Sequence, residues 1–304
     1  MNSAVPNSYR ALHRALLANA AFSLLTGGAQ LLLARSLAPL LGLAPNTAVL
    51  PLIGAGLATF AGGVLWLATR PRPDRLLSLL VSFADLLWVL GSVLLMVLAR
   101  GQLPLAGQLL VGSTAGVVLA FALLQLRGIT RSFRAALGSR EIRVCVEVAT
   151  PTTADTLWRN IAQIGRIADF MPSLASSSLR GEAVPGLGAI RDCTDQGGRS
   201  WSERCTHWEP ARREFDVVFL TDAPRFPFPF SHLRGGWQVS PTVTGSTVRV
   251  WWQGELRRPI LTALILPVME WQARRDFGGV VQRLAETNPK THERSSIKLI
   301  ASPC

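Results

Sequence analysis

Four long apolar runs come first along this chain, and short alternating ones follow. The runs fall at about 15–34, 48–69, 76–99 and 103–126. Each holds roughly 20 residues or more, enough to cross a ~30 Å hydrocarbon core as a helix. Glycines inside them (Gly27, Gly28, Gly54, Gly56, Gly62, Gly63) are tolerated in membrane helices and let backbones approach closely. The first run is long, ends just before Arg35 and continues as SLAPLLGL, so it reads as a retained helix and not a signal peptide.

From Glu141 the period changes to two. EIRVCVEVAT places Ile142, Val144, Val146 and Val148 on one face and Arg143, Cys145 and Glu147 on the other, the pattern of a half-buried strand. TADTLWRNIAQIGRIADFMP then predicts one or two short helices. Six more strand-like segments follow: SSLRGEAV, GAIRDCT, SWSERCTHWE, EFDVVFL, LRGGWQVS and STVRVWWQGEL. Turns are expected at Gly197–Gly198 and Thr244–Gly245. A long helix over about 260–286 closes the segment, with Pro267 inside it. The expected architecture is an all-α four-helix transmembrane bundle followed by an α+β domain.

Charge orients the first half. The net charge of +12 divides into +9 for residues 1–140 and +3 for the rest. Arg10, Arg14, Arg70, Arg72, Arg75, Arg127, Arg131, Arg134 and Arg140 fall on one side of the four runs, and only Arg35 and Arg100 on the other. By the positive-inside rule both termini are cytoplasmic. A nucleic-acid reading fails, because it needs its basic residues on a soluble face. RGITRSFRAALGSR, with Ile129, Phe133 and Leu137 at helical spacing, predicts a basic amphipathic linker over 128–140 suited to anionic lipids near Arg127, Arg131 and Arg134. The plainer reading is that it only continues the fourth helix.

Asp85 lies in the third run about ten residues beyond Arg75, hence ~15 Å into the bilayer at helical rise. A carboxylate at that depth is costly and raises the question of a site. Asn19, Ser23, Thr59 and Gln108 are the partners within reach, and a polar clasp between helices is favoured over a proton or ligand site.

V-E-V-A-T-P-T-T-A-D-T-L-W from Val146, F-M-P at 170–172, L-R-G-E-A-V-P-G-L-G at 179–188 and P-F-P ahead of G-G-W together resemble the START-like, helix-grip superfamily in its polyketide cyclase/dehydrase (SRPBCC) branch. The resemblance covers about 141–287. It implies a curved antiparallel sheet of about seven strands around the long C-terminal helix, two short helices after the first strand, and a cavity for an apolar ligand such as a lipid or polyketide-like molecule. The four-helix half, about 1–127, is similar to membrane regions attached to such domains in bacteria, which implies a bacterial cytoplasmic membrane. The stretch 288–304 is polar and unpatterned and is expected to be disordered.

No enzyme motif is present: the chain lacks GxSxG, HExxH, a phosphate loop and a dinucleotide fingerprint. The four histidines have no metal spacing and no cofactor is implied. The four cysteines contain no CxxC pair and are expected as reduced thiols, Cys193 and Cys205 as small buried hydrophobes. Polar strand residues are the remaining candidates for chemistry. Alternation puts Trp201, Glu203, Cys205 and His207 on one face of their strand, and Arg249, Trp251, Gln253 and Glu255 on one face of theirs. With Arg191, the residues Glu203, Arg249 and Glu255 are the acid–base types a cyclisation needs. An exposed cross-strand charge ladder is the favoured reading.

PRFPFPF at 224–230 joins two strands. In an extended chain Phe226, Phe228 and Phe230 share one side, which makes an apolar edge suited to gate a cavity. Packing into the domain's own core is the competing reading. With Trp158 and Trp237 these rings are the candidate ligand contacts. The favoured function is a membrane-anchored module that binds a hydrophobic small molecule. The alternatives are a cyclase or dehydratase on an apolar substrate, and a membrane interaction protein centred on Asp85.

Overall fold

The computed structural model describes residues 7–43, 47–136, 139–286 and 299–303. It divides into two compact units, Met1–Phe133 and Arg134–Cys304.

The first unit contains α1 (Arg10–Leu32), α2 (Ala34–Leu40), α3 (Val49–Ala68), α4 (Arg75–Leu98) and α5 (Leu105–Ser132). Of these, α1, α3, α4 and α5 are long and apolar enough to cross a membrane. Each lies within a few residues of the run that predicted it, except that α5 continues to Ser132 and takes in the start of the expected linker. The short α2 was not anticipated: the chain breaks at Leu33 and carries Pro39 within the new helix. The Asp74 carboxylate caps α4 by accepting from the Leu77 amide at 3.0 Å.

Glycine sets how closely these helices approach. A Cβ at Gly54 would stand 2.7 Å from the Gly27 carbonyl oxygen, and one at Gly27 would stand 2.8 Å from that of Gly54. Only glycine permits the α1–α3 backbones to touch this way. Arg75 also does more than mark orientation. Its Nε donates to the Ser132 hydroxyl and its Nη2 to the Ser132 carbonyl, at 3.0 and 2.8 Å. A cation is thereby placed at the negative end of the α5 dipole.

The second unit contains β1 (Ile142–Thr150), α6 (Ala154–Ile161), a 3-10 turn at Ile164–Asp169, then β2 (Leu174–Leu179), β3 (Ile190–Asp195), β4 (Ser200–Glu209), β5 (Glu214–Phe219), β6 (Phe230–Thr242) and β7 (Gly245–Leu256). The helix α7 (Thr262–Glu286) follows. Ala301–Pro303, inside the stretch expected to be disordered, forms a short β8 against β1. The sheet order is β2-β3-β4-β5-β6-β7-β1-β8, antiparallel throughout. Strands β1 to β7 and one long helix make the helix-grip architecture, with β8 added at the edge beside β1.

Alternation decides which face of the sheet meets α7. Val144, Val146, Val148, Val248 and Val250 are buried. Leu266, Val281 and Leu284 of α7 are fully covered, each worth about 1.5–3 kcal/mol relative to exposure in water. The opposite face carries Arg143, Arg234, Arg249 and Glu147 around Trp251, with the Arg143 guanidinium 5.5 Å from that ring.

Candidate functional site

Between the sheet and α7 lies a cavity of about 570 Å³, within the range of small-molecule sites. Its walls are largely apolar: Ile142, Val144, Phe219, Phe230, Trp237 and Phe277 line it. Two polar side chains stand out among them. Arg191 of β3 and Glu203 of β4 face each other in register and form an ion pair, both side chains more than nine-tenths buried.

The pair is held on several sides. Arg191 Nη1 donates to the Ile164 carbonyl at 2.9 Å, and Trp201 Nε1 donates to Glu203 Oε1 at 2.7 Å. Burial works against the guanidinium charge and the Glu203 carboxylate more than restores it. Among the described residues Arg191 Nε is buried and has no acceptor in hydrogen-bond geometry, with the Cys193 thiol its neighbour. An unpaired N–H of a charged group is expensive to leave dry, so a ligand oxygen at this point would relieve a real deficit. Cys193, also on the lining, has its thiol pushed up to about 12 by burial and by Glu203, which keeps it neutral and unreactive.

The other two acid–base candidates lie elsewhere. Arg249 pairs with Glu147 across β7 and β1, and Glu255 comes within 3.9 Å of Arg140. Neither lines the cavity, because they share the β7 face opposite Val248 and Val250. The alternation expected for β4 also fails beyond Cys205. A bulge makes Thr206 the extra residue, so His207 pairs with Asp216 on the outer face and Trp208 pairs with Phe215 on the inner one.

That shift places Trp158. Its ring stands 5.5 Å from Trp208 and 6.3 Å from Phe215, an aromatic cluster away from the cavity lining. Trp237 lines the cavity and packs on Phe277 at 5.6 Å. The three loop phenylalanines divide. Phe230 begins β6 and is core, 2% exposed. Phe226 and Phe228 are half-buried and meet edge-to-face at 5.5 Å, with Phe219 beneath both and Trp201 at 5.0 Å from Phe228. Trp201 thus touches both the aromatic edge and the ion pair. Ser173, Asp195, Gln196, Arg199, Gln272 and Asp276 add further polar lining.

Cys145 is disulfide-bonded, against the expectation of reduced thiols throughout, whereas Cys193 and Cys205 are free and buried. Separation along the sequence does not reveal which cysteines fold together. Among the described residues, no cluster of three or more His, Cys, Asp or Glu could hold a metal ion.

In the helical unit Asp85 Oδ2 accepts from Asn19 Nδ2 at 2.8 Å and from Gln125 Nε2 at 3.0 Å. Ser23 donates to Asn19, and Ser82 to Gln125. The five residues are buried and tie α1, α4 and α5 together. Thr59 and Gln108 instead bond carbonyls of their own surroundings. Gln125 was not anticipated as a partner, since its place in an apolar run gave no hint of direction. Asp85→Asn keeps an oxygen that both amides can use and should leave bundle stability near wild type. Asp85→Leu should lower it by about 1–2 kcal/mol, read as a lower unfolding temperature of the full chain in detergent.

Residues 141–287 match the family model described as polyketide cyclase / dehydrase and lipid transport. No curated protein matches the chain. Solved structures similar to it include norcoclaurine synthase from Thalictrum flavum, 14% identical, with 48% of this chain and 84% of that one covered and a TM-score of 0.38. An uncharacterized protein from Bacillus thuringiensis is 16% identical, with 47% and 98% covered and a TM-score of 0.37. The protein XoxI from Bacillus cereus is 16% identical, with 48% and 92% covered and a TM-score of 0.35.

Proposed function

We propose that this chain, whose residues 141–287 form a START-like domain of the polyketide cyclase/dehydrase type, is a membrane-anchored module that holds one amphipathic small molecule in the cavity under α7. The observation that carries the reading is the buried Arg191–Glu203 pair in an otherwise apolar chamber. The chamber takes a hydrocarbon or polyketide-like body, and the unpaired Arg191 Nε takes a carbonyl, carboxylate or hydroxyl oxygen. The four apolar helices anchor the module. The arginine asymmetry supports cytoplasmic termini. Arg127 and Arg131 close α5 and are suited to anionic headgroups, whereas the Arg134 backbone bridges to Ile142.

A cyclase or dehydratase remains the second reading, because two of its four candidate residues line the cavity. Binding is favoured over it by how Glu203 is used. Its two oxygens already accept from a guanidinium and an indole N–H, which commits it to holding Arg191.

Phe226 and Phe228 serve as the movable edge of this chamber. Full chain purified in nanodiscs and extracted for mass spectrometry should yield a co-purifying amphipathic molecule. Phe226→Ser with Phe228→Ser should retain about ten-fold less of it, because two aromatic rings no longer close the edge, with the circular dichroism spectrum unchanged. Global unfolding of that variant would favour the core reading. Absence of any bound molecule from the wild-type chain would sink the proposal.

A further inference from the structure

The first half of α7 faces two ways. Leu266, Pro267 and Glu270 are buried, and Met269, Gln272 and Ala273 border the cavity. Ile260, Leu264, Val268 and Trp271 are instead exposed, at 86%, 38%, 40% and 41%. At 100° per residue Leu264, Val268 and Trp271 fall within one narrow sector of the α7 surface, and Ile260 precedes them in the 3-10 turn Pro259–Leu261. They make an apolar stripe on a domain whose other exposed large apolar residues, among those described, are Val184, Leu187, Val218, Val243 and Ile300.

The charges along the stripe are of one sign. Between Arg257 and Arg275 the only acidic residue is Glu270, which is buried. Arg258 stands exposed at one end. At the other, the Arg275 guanidinium lies 5.5 Å from the Trp271 ring. Aliphatic side chains flanked by arginine, with a tryptophan among them, are the composition of a helix that lies in a phospholipid interface. The rings and aliphatic groups enter the acyl boundary and the guanidiniums reach phosphate oxygens.

We infer that this face of α7 docks on a phospholipid surface, so that the cavity residues one helical step away sit beside the lipid from which a ligand is taken. The inference rests on the reading that α1, α3, α4 and α5 cross a membrane. Chain continuity then supplies the occupant, since Phe133 ends the helical unit and Arg134 begins the next. A bilayer is therefore always at hand at high local concentration. A second copy of the chain is the competing occupant.

Photo-crosslinking of the full chain in phosphatidylcholine nanodiscs tests the inference, with p-benzoylphenylalanine placed singly at Leu264, Trp271, Val243 or Leu98. Val243, on the β6–β7 turn and fully exposed, is the equally accessible control. Leu98, 74% exposed at the end of α4, reports on the spanning helices. Lipid adducts at Leu264 and Trp271 should exceed those at Val243 by about ten-fold, as for residues held in the interface. Adducts at Leu98 without an excess at Leu264 and Trp271 would overturn docking and leave the spanning helices standing. No adduct at Leu98 would overturn both. Protein–protein adducts at Leu264 and Trp271 would overturn the lipid assignment in favour of a second copy.

Discussion

Arg191→Met alone is expected to destabilise the C-terminal domain by about 3–5 kcal/mol, because it strands a buried carboxylate. Glu203→Leu alone should do comparable harm by stranding the guanidinium. The double variant, Arg191→Met with Glu203→Leu, should return to within about 1–2 kcal/mol of the parent, since neither charge is then left buried and alone. Thermal unfolding of the four full-length proteins checks this directly. Ligand retention should follow a different order. It should fall in both single variants and stay low in the double one, because the Nε that lacks an acceptor among the described residues is gone. A double variant that holds its ligand as well as the parent would leave the pair a structural feature only.

In the helical unit the largest effect is expected at Gly54. A leucine there drives its Cβ into the Gly27 carbonyl oxygen, where the spacing is already 2.7 Å. The obstacle is backbone on a packed helix, so α1 and α3 must separate, at a cost of about 1–3 kcal/mol or more. Gly56→Leu is the internal control. A Cβ at Gly56 meets nothing within 4 Å, and this variant should behave as wild type. Detergent-purified Gly54→Leu should elute as a broadened or aggregated species, whereas Gly56→Leu should give the wild-type profile.

Much of the fold was legible because each half carries its own period. Twenty-residue apolar runs name long apolar helices whatever their neighbours do, and alternation in EIRVCVEVAT or STVRVWWQGEL names both a strand and its inward face. The same rule set Arg249 and Glu255 opposite Val248 and Val250, where they are. Legibility stopped where one residue upset the count. The bulge at Thr206 exchanges the faces of His207 and Trp208, and no local residue type announces it. Arg191 and Glu203 illustrate a second limit. Alternation placed each on a face, but whether that face is concave depends on how the whole sheet curls round α7. An exposed ladder of charges and a buried pair in a ligand chamber have the same local sequence. Asp85 shows a third limit: its depth came from counting residues, whereas its second partner Gln125 sits on another helix at a rotation that only packing determines.

The position of β1 in the sheet has a consequence for how the chain is made. β1 is synthesised before the other strands of its sheet, yet it pairs with β7, synthesised about a hundred residues later, and packs on α7, which comes later still. While the ribosome completes the intervening strands, the apolar face of β1 and its open edge have no partner. This long-range closure makes the domain slow to form and leaves a sticky strand exposed meanwhile. A chain that stopped before β7 would keep that edge open permanently, so premature termination there should yield an aggregation-prone product and not a smaller working one.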